Sequence, residues 1–318
     1  LTFSQLIRCF KVKIKIFKHY LLDKQQSTKE LAKERFESYK TSKLEYNFLE
    51  GFTGKLTDFD AVLNRKNTTG AKAAIIREKG VNGDREMAYS LFLAGFDVKD
   101  IHMTDLISGR EDLSDVNMIV FVGGFSNSDV LGSAKGWAGA FLYNPKAKSA
   151  LDNFYARKDT LSLGVCNGCQ LMLELGLISA QGELQPMGHN ESGKFESGYL
   201  TLNVEPNNSV MFKSLVGSKL GIWVAHGEGK FTLSGNEDDY GIALKYSGHQ
   251  YPANPNGSNY HTAGLASEDG RHLAMMPHLE RAIFPWQCAH YLSERNADEC
   301  TPWLEAFVNA RKWVLEAV

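Results

Sequence analysis

The segment that most constrains the fold of this chain is a Gly-x-Cys-x-Gly pattern at residues 164–168. It ends an apolar run at 161–165 and precedes an apolar series at 171–175, which together predict a strand that turns directly into a helix. Glycine two positions before and two after Cys166 permits the sharp turn that exposes a nucleophile. The helix dipole favours the thiolate at this position, and the N–H of Asn167 would face a developing oxyanion. The pattern therefore predicts a reactive cysteine.

Other interpretations of this cysteine remain open on the residues alone. Cys166 and Cys169 form Cys-x-x-Cys, which between a strand and a helix is compatible with a dithiol redox pair. A buried structural cysteine is a further interpretation. Zinc is weaker, because no second Cys-x-x-Cys or close Cys/His pair completes four ligands. Only five cysteines in 318 residues argue against a disulfide framework and favour a reducing, cytoplasmic compartment.

Strand and helix signals alternate from residue 71 onward. Repeated strand-then-helix units predict an α/β fold with a doubly wound, mostly parallel sheet, in which ligands bind at the carboxyl ends of the strands. Asp84 is predicted to cap the first helix of this region. The predicted strands are 73–76, 96–98, 118–122 and 161–165, and a last helix is predicted at 302–315. The segments 195–204, 220–224 and 241–246, punctuated by glycine and Asn-Gly, indicate antiparallel additions or long loops.

Residues 1–66 form a separate basic segment, with 14 Lys/Arg against 8 Asp/Glu. Alternation at 11–16 predicts an edge strand, and 31–39 a charged helix. A cationic arm for membranes or nucleic acid is one interpretation, but short charge runs usually lie on a solvated face, which favours a linker or docking segment. The remainder is acidic, so nucleic acid is not expected as a partner, and no run of 18 apolar residues predicts a membrane span.

Two of the nine histidines have a setting that suits a catalytic base. His278 follows an apolar run at 273–276 and precedes Glu280 by two residues. On an extended segment these side chains point to the same side, so the carboxylate could orient the imidazole as the base for a cysteine nucleophile. His226 precedes Glu228 at the same spacing, with glycine on both sides of that carboxylate, and ranks second.

Five segments of the chain occur together in one order: VFVGGFS at 120–126, GVCNGCQ at 164–170, HGEG at 226–229, YPANPNGS at 251–258 and MPHLER at 276–281. In this order they resemble class I glutamine amidotransferases, and within them the amidotransferase domain of the phosphoribosylformylglycinamidine synthase family. The resemblance covers residues 71–318 as one domain, whereas 21–66 resembles the segment that links it to the synthetase portion, and 1–18 match nothing. One departure is Leu279, where many relatives have proline.

The resemblance implies a flavodoxin-like fold and a site built around Cys166 as nucleophile, His278 as general acid/base and Glu280 as its orienter. It also argues against the dithiol interpretation, because Cys169 has no disulfide role in this family. Further implied contributions are a second oxyanion N–H from Gly124 or Phe125, substrate binding by Gln170, and positions near the glutamine or the docking surface for His226, Gly227 and Glu228.

The implied activity is release of ammonia from L-glutamine, for ATP-dependent conversion of phosphoribosylformylglycinamide to the amidine in de novo purine biosynthesis. The chain lacks a phosphate-binding Gly-x-x-x-x-Gly-Lys-[Ser/Thr] motif. We therefore expect ATP and Mg²⁺ only in the synthetase portion, and no cofactor or metal in this chain. Two alternatives are a stand-alone thiol hydrolase on the same fold and a non-catalytic interaction domain.

Overall fold

The structure, a computed structural model, describes residues 29–38, 44–61, 63–178, 180–248 and 250–317. The edge strand predicted at 11–16 lies outside these residues. The helices are α1 (Lys29–Ser38), α2 (Asp84–Ala94), α3 (Met103–Ser108), α4 (Lys135–Leu142), α5 (Pro145–Ala156), α6 (Asn167–Glu174) and α7 (Trp303–Ala317). The strands are β1 (Lys72–Arg77), β2 (Asp97–His102), β3 (Met118–Phe121), β4 (Leu161–Val165), β5 (Gly188–His189), β6 (Glu196–Val204), β7 (Lys219–His226), β8 (Glu228–Lys230), β9 (Ile242–Tyr246), β10 (Thr262–Ala266) and β11 (His272–Met275).

Nine strands form one sheet in the order β2-β1-β3-β4-β11-β10-β9-β6-β7. The first five are parallel to one another, and every residue of β3 and β4 is buried, as expected for strands covered on both faces. The strands from β10 to β7 extend the sheet in antiparallel fashion. The α/β fold with a mostly parallel sheet and antiparallel additions is therefore confirmed.

Helices pack against this sheet and complete the core. Helix α2 contacts α7, while α5 contacts both α3 and α4. Trp303 and Phe307 of α7 are buried, and the indole N–H of Trp303 donates to the Gly221 carbonyl at 2.8 Å, so the predicted last helix packs on the sheet. The predicted cap of α2 was wrong by one residue: Gly83 is the N-cap and Asp84 begins the helix.

The parallel half positions the site because three of its neighbouring strands end at the same edge. The loop after β3 carries the glycine pair at 123–124, the turn after β4 carries Cys166, and the segment after β11 carries His278. Carboxyl ends of adjacent parallel strands lie side by side. Residues more than 150 positions apart in the chain thus meet at one end of the sheet.

The described part of the basic N-terminal segment contacts both halves of the sheet. Arg65 pairs with Asp97 of the parallel edge strand β2 at 2.8 Å, and two further contacts lie in the antiparallel half. Asn47 forms an antiparallel bridge with Lys219 of the edge strand β7. Arg35 of α1 pairs with Glu196 of β6 at 2.6 Å, and its guanidinium lies over the ring of Tyr251. None of the helices in the described ranges combines the length and apolar character that a bilayer crossing requires.

Candidate functional site

Cys166 occupies a strained turn between β4 and α6. Its backbone has φ +53° and ψ −106°, which is rare for a residue with a side chain. A Cβ added at Gly168 would lie 1.9 Å from the Phe121 carbonyl oxygen, and one at Gly164 would lie 2.5 Å from the Gly168 carbonyl oxygen. Both glycines are therefore required by close backbone approach, and the sharp turn predicted from the sequence is the one observed.

His278 follows β11 and faces this cysteine. Its Nδ1 lies 2.6 Å from Oε1 of Glu280, and both residues are almost fully buried. The contact forms on a short turn rather than on a continuing strand, because Leu279–Arg281 is a 3-10 helix whose N-cap is His278. A Cβ added at Gly123 would lie 2.7 Å from Cε1 of His278 and 3.4 Å from Cβ of Cys166. Gly123 is thus the point at which imidazole and thiol side chain converge.

The protonation of His278 is set by two opposing effects. Burial alone would lower its pKa, but the charges of Glu280 and Cys166, and hydrogen bonds to both side chains, raise the pKa to about 9. The imidazolium form is therefore favoured near neutral pH. A protonated imidazole beside a cysteine stabilises the reactive thiolate.

The glycine loop after β3 offers one backbone donor toward the thiol. Gly124 forms an antiparallel bridge with Val81, in which the Phe125 N–H donates to the Gly80 carbonyl at 2.9 Å. In such a bridge the N–H of the central residue points to the opposite side. Of the two predicted donors, the Phe125 N–H is therefore already hydrogen-bonded, and the Gly124 N–H is the better candidate for the second oxyanion donor. Its φ of +140° and the 2.4 Å approach of an added Cβ to Val81 Cα explain why glycine stands there.

Asn167 and Gln170 hold the walls of the site together. The Asn167 side chain accepts from the Ser126 N–H at 3.0 Å and donates to Gln170 Oε1 at 2.9 Å. Gln170 Nε2 donates to the Glu228 carbonyl at 2.6 Å. The side-chain amides of both residues thus link the elbow helix to the 126–129 loop and to β8.

His226, the competing base, lies at the end of β7 in a different environment. Burial, together with the charge of His278, lowers its pKa to about 3, so its ring is neutral. Asn256 Nδ2 lies 3.3 Å from its Nδ1, whereas the carboxylate of Glu228 accepts from the Ser133 N–H at 3.3 Å. The His-x-Glu spacing at 226–228 therefore does not produce the imidazole–carboxylate pair that it produces at His278.

A pocket of about 260 Å³ opens beside the thiol. It contains seven of the predicted residues, whereas Asn167, His278 and Glu280 lie behind its wall. The prediction missed Asp129, whose carboxylate faces the same pocket as Glu228, because nothing in its local sequence marks it. The lining residues are Gly124, Phe125, Asp129, Ser133, Cys166, Gln170, His189, Gly193, Lys194, Phe195, Ala225, His226, Gly227 and Glu228.

A dithiol redox pair and a zinc site, the other interpretations of the cysteine pattern, depend on the surroundings of Cys166 and Cys169. Cys166 and Cys169 are not bonded to each other, and burial raises the pKa of the Cys169 thiol well above its usual value. Cys169 is fully buried in the core, whereas Cys166 lines the pocket. Within the described ranges, no three His, Cys, Asp or Glu side chains gather as metal ligands would.

Comparison with known proteins gives a consistent result. Phosphoribosylformylglycinamidine synthase of Homo sapiens is 44% identical over 276 residues, covering 77% of this chain and 20% of that protein. The protein of the same name from Drosophila melanogaster is 37% identical over 319 residues, covering 94% of this chain and 23% of its own length. The chain thus spans about a fifth of the length of these curated relatives.

A solved structure and a family profile cover the same region. The structure of PurLQS from Thermotoga maritima matches 77% of this chain and 97% of the matched chain, with 25% identity and a TM-score of 0.59. Residues 70–314 match the profile of the CobB/CobQ-like glutamine amidotransferase domain. The chain therefore belongs to the CobB/CobQ-like glutamine amidotransferase domain family.

Proposed function

We propose that this chain is a glutaminase that releases ammonia from L-glutamine through a thioester on Cys166. The observation that carries the proposal is the buried His278–Glu280 pair, 2.6 Å between ring and carboxylate, directed at a cysteine on a strand-to-helix elbow. A thiol, a base and an orienter in this arrangement supply the nucleophile and the proton transfers that acyl transfer requires.

The first half of the reaction forms the thioester. The thiolate of Cys166 attacks the side-chain amide carbon of glutamine, and the N–H groups of Gly124 and Asn167 stabilise the oxyanion of the tetrahedral intermediate. His278 donates its proton to the amide nitrogen as the carbon–nitrogen bond breaks. Ammonia leaves, and the glutamyl group stays on sulfur.

The second half regenerates the enzyme. Neutral His278 removes a proton from water, which attacks the thioester carbonyl; the carbon–sulfur bond breaks, and glutamate and the thiolate result. Glu280 holds the ring through both protonation states. Every step uses side chains and backbone of this chain, so we propose that it needs no cofactor or metal of its own.

The pocket also suits the amino-acid end of the substrate. Asp129 Oδ1 accepts from the Ala134 N–H at 3.3 Å, and Glu228 Oε2 from the adjacent Ser133 N–H at the same distance. The pKa of Asp129 is raised by burial and by the charge of Glu228, so a cation between the two would relieve their repulsion. We propose that this pair binds the α-ammonium group of glutamine, with Gln170, His226 and Gly227 shaping the wall.

The names of the relatives support a larger assignment. We propose that the ammonia serves ATP-dependent formation of phosphoribosylformylglycinamidine from phosphoribosylformylglycinamide in purine biosynthesis, with ATP and Mg²⁺ bound by a synthetase portion. Residues 1–66 are proposed as the linker or docking segment toward it, and the Arg35–Glu196 ion pair is a contact that attaches α1 to this domain. Four unpaired cysteines among the described residues agree with a cytoplasmic location.

The test is to follow glutamate release from L-glutamine by the 318-residue chain alone and with a synthetase portion, ATP, Mg²⁺ and phosphoribosylformylglycinamide. We expect slow hydrolysis alone and faster, coupled glutamate and amidine formation with the partner. Absence of glutamate in both cases would contradict the glutaminase assignment. Fast hydrolysis that ignores the partner would favour a stand-alone hydrolase, and amidine formed from ammonia by this chain alone would refute the division of labour.

A further inference from the structure

Arg281 ends the MPHLER segment and directly follows Glu280. Its Nε lies 3.6 Å from Oε1 of Glu280, the same oxygen that contacts His278. A second carboxylate, that of Glu86 on α2, lies 3.8 Å away on the outer side. The Arg281 side chain is 27% exposed and that of Glu280 is fully buried, so the guanidinium lies between solvent and the inner carboxylate.

Glu280 has one positive neighbour in the protonated ring of His278, but that contact engages Oε1 alone. A buried carboxylate is costly unless it is paired and hydrogen-bonded, and its Oε2 makes no hydrogen bond within the described part of the chain. Gly83, the N-cap of α2, is close enough that an added Cβ would lie 3.4 Å from Oε1. Arg281 thus brings a full positive charge to a carboxylate that already faces the N-terminus of a helix.

The other end of Arg281 reaches the glycine loop. Its Nη2 donates to Asn82 Oδ1 at 3.0 Å, and the Asn82 N–H donates to the Gly123 carbonyl at 2.9 Å. Gly123 precedes the candidate oxyanion donor Gly124. A continuous chain of polar contacts therefore joins the carboxylate that orients the base to the loop that would hold the oxyanion.

We propose that Arg281 is a positioning residue that holds Glu280 against His278 and fixes the Gly123–Gly124 loop relative to the base. This inference rests on the proposed glutaminase function. Arg281 contacts neither Cys166 nor the pocket, so it acts through Glu280 and Asn82. Its loss would disturb proton transfer and oxyanion stabilisation while leaving the surface that binds glutamine in place.

The test compares Arg281→Gln, Arg281→Lys and the matched control Glu86→Gln, which removes only the outer partner of Arg281. We expect Arg281→Gln to lower kcat by about 10-fold with little change in KM, less than the roughly 100-fold or more expected for loss of the base. The acidic limb of its pH profile should move to higher pH, because without the Arg281 cation the charge of Glu280 holds the proton on His278 more strongly. Arg281→Lys keeps the positive charge, so it should restore the position of the acidic limb more fully than it restores kcat. The kcat of Glu86→Gln should stay within about 2-fold of the wild-type value.

A second measurement tests the role of Arg281 independently of glutaminase activity. The rate of Cys166 alkylation by iodoacetamide as a function of pH reports the thiol–imidazole pair without glutamine, and circular dichroism establishes folding. A wild-type chain that releases no glutamate contradicts the proposed function, whereas the alkylation profiles still test Arg281. Folded Arg281→Gln with wild-type kcat and pH profiles, or an equal effect of Glu86→Gln, would overturn the inference.

Discussion

His278 Nδ1 and Glu280 Oε1 lie 2.6 Å apart, and both residues are buried away from solvent. The contact occupies one ring nitrogen and leaves the other for Cys166, whose charge is one of the causes that raise the pKa of this ring. The Cys166 thiol itself lies 3.6 Å from the Ala225 carbonyl oxygen. A carboxylate that fixes the orientation of an imidazole in this way lets it exchange protons with a nucleophile without searching among rotamers.

The two cysteines of the elbow should differ sharply in function. Cys166→Ala is expected to abolish glutamate release, because it removes the only thiol among the pocket-lining residues. Cys169→Ala should keep a substantial part of the activity, since that side chain lies in the core. A glutamine-like diazoketone followed by mass mapping should label Cys166 alone. Complete loss of activity in folded Cys169→Ala would restore the dithiol interpretation.

The assignment of the base predicts an order among three variants. His278→Asn should lower kcat by at least about 100-fold, since a positioned acid–base group contributes roughly 10²- to 10⁴-fold, and Glu280→Gln should cost less. His226→Asn should affect KM more than kcat, because that ring is neutral and bonded to Asn256. Steady-state kinetics measure all three. A larger kcat loss in His226→Asn than in His278→Asn would exchange the two assignments.

The elbow and the base could be predicted because each is encoded within a few residues. The Gly-x-Cys-x-Gly pattern at 164–168 specifies the sharp turn. An apolar run that ends just before His-x-Glu places the base at the end of a strand. The contacts that complete the site join distant positions: Arg281 and Asn82 are 199 residues apart. Arg281 ends the MPHLER segment, but nothing in the local sequence marks Asn82 as its partner, since only the order of strands in the sheet brings the two together.

The same limit explains why two similar patterns had different outcomes. His226–Glu228 and His278–Glu280 share their spacing, yet only the second forms the ring–carboxylate contact. A turn folds Glu280 back onto His278, whereas Glu228 begins β8 and reaches Ser133. Spacing fixes which side chains can meet, and the backbone path decides whether they do.

The stability of the fold should depend on pH through His278. Its folded-state pKa, about 9, exceeds the ordinary 6.5, so the native state holds a proton that the unfolded chain releases. This stabilisation is present below pH 6.5 and is lost as the pH rises toward 9, at no more than about 1.4 kcal/mol per pH unit. Urea unfolding at pH 6.5, 7.5 and 8.5 measures it. The decline should be shallower in His278→Asn, and an equal slope in both proteins would contradict the raised pKa.

The close approach at the elbow predicts a pair of glycine variants with opposite outcomes. Gly168→Ala would force a Cβ to 1.9 Å from the Phe121 carbonyl oxygen, so it should destabilise the fold by about 3 kcal/mol or more and displace Cys166. Gly198→Ala in β6 is the matched control, since nothing lies within 4 Å of its added Cβ. Denaturant unfolding compares them. Similar free energies of unfolding for the two variants would mean that the elbow relaxes more easily than its geometry indicates.

The acidic pair in the pocket predicts a specific defect in substrate binding. Asp129→Asn and Glu228→Gln each remove one negative charge from the site proposed for the α-ammonium group, and a charge-assisted hydrogen bond is worth about 1.5–3 kcal/mol. The KM for glutamine should therefore rise by about 10-fold or more, with kcat less affected. Asp152→Asn is the control, because that carboxylate pairs with Lys148 on the surface of α5. Glutaric acid monoamide, which is glutamine without its α-amino group, separates charge recognition from general disruption. The wild-type advantage over Asp129→Asn should vanish with this analogue, since no ammonium remains to be bound. If the variant loses as much with the analogue as with glutamine, Asp129 supports the pocket wall instead of the substrate.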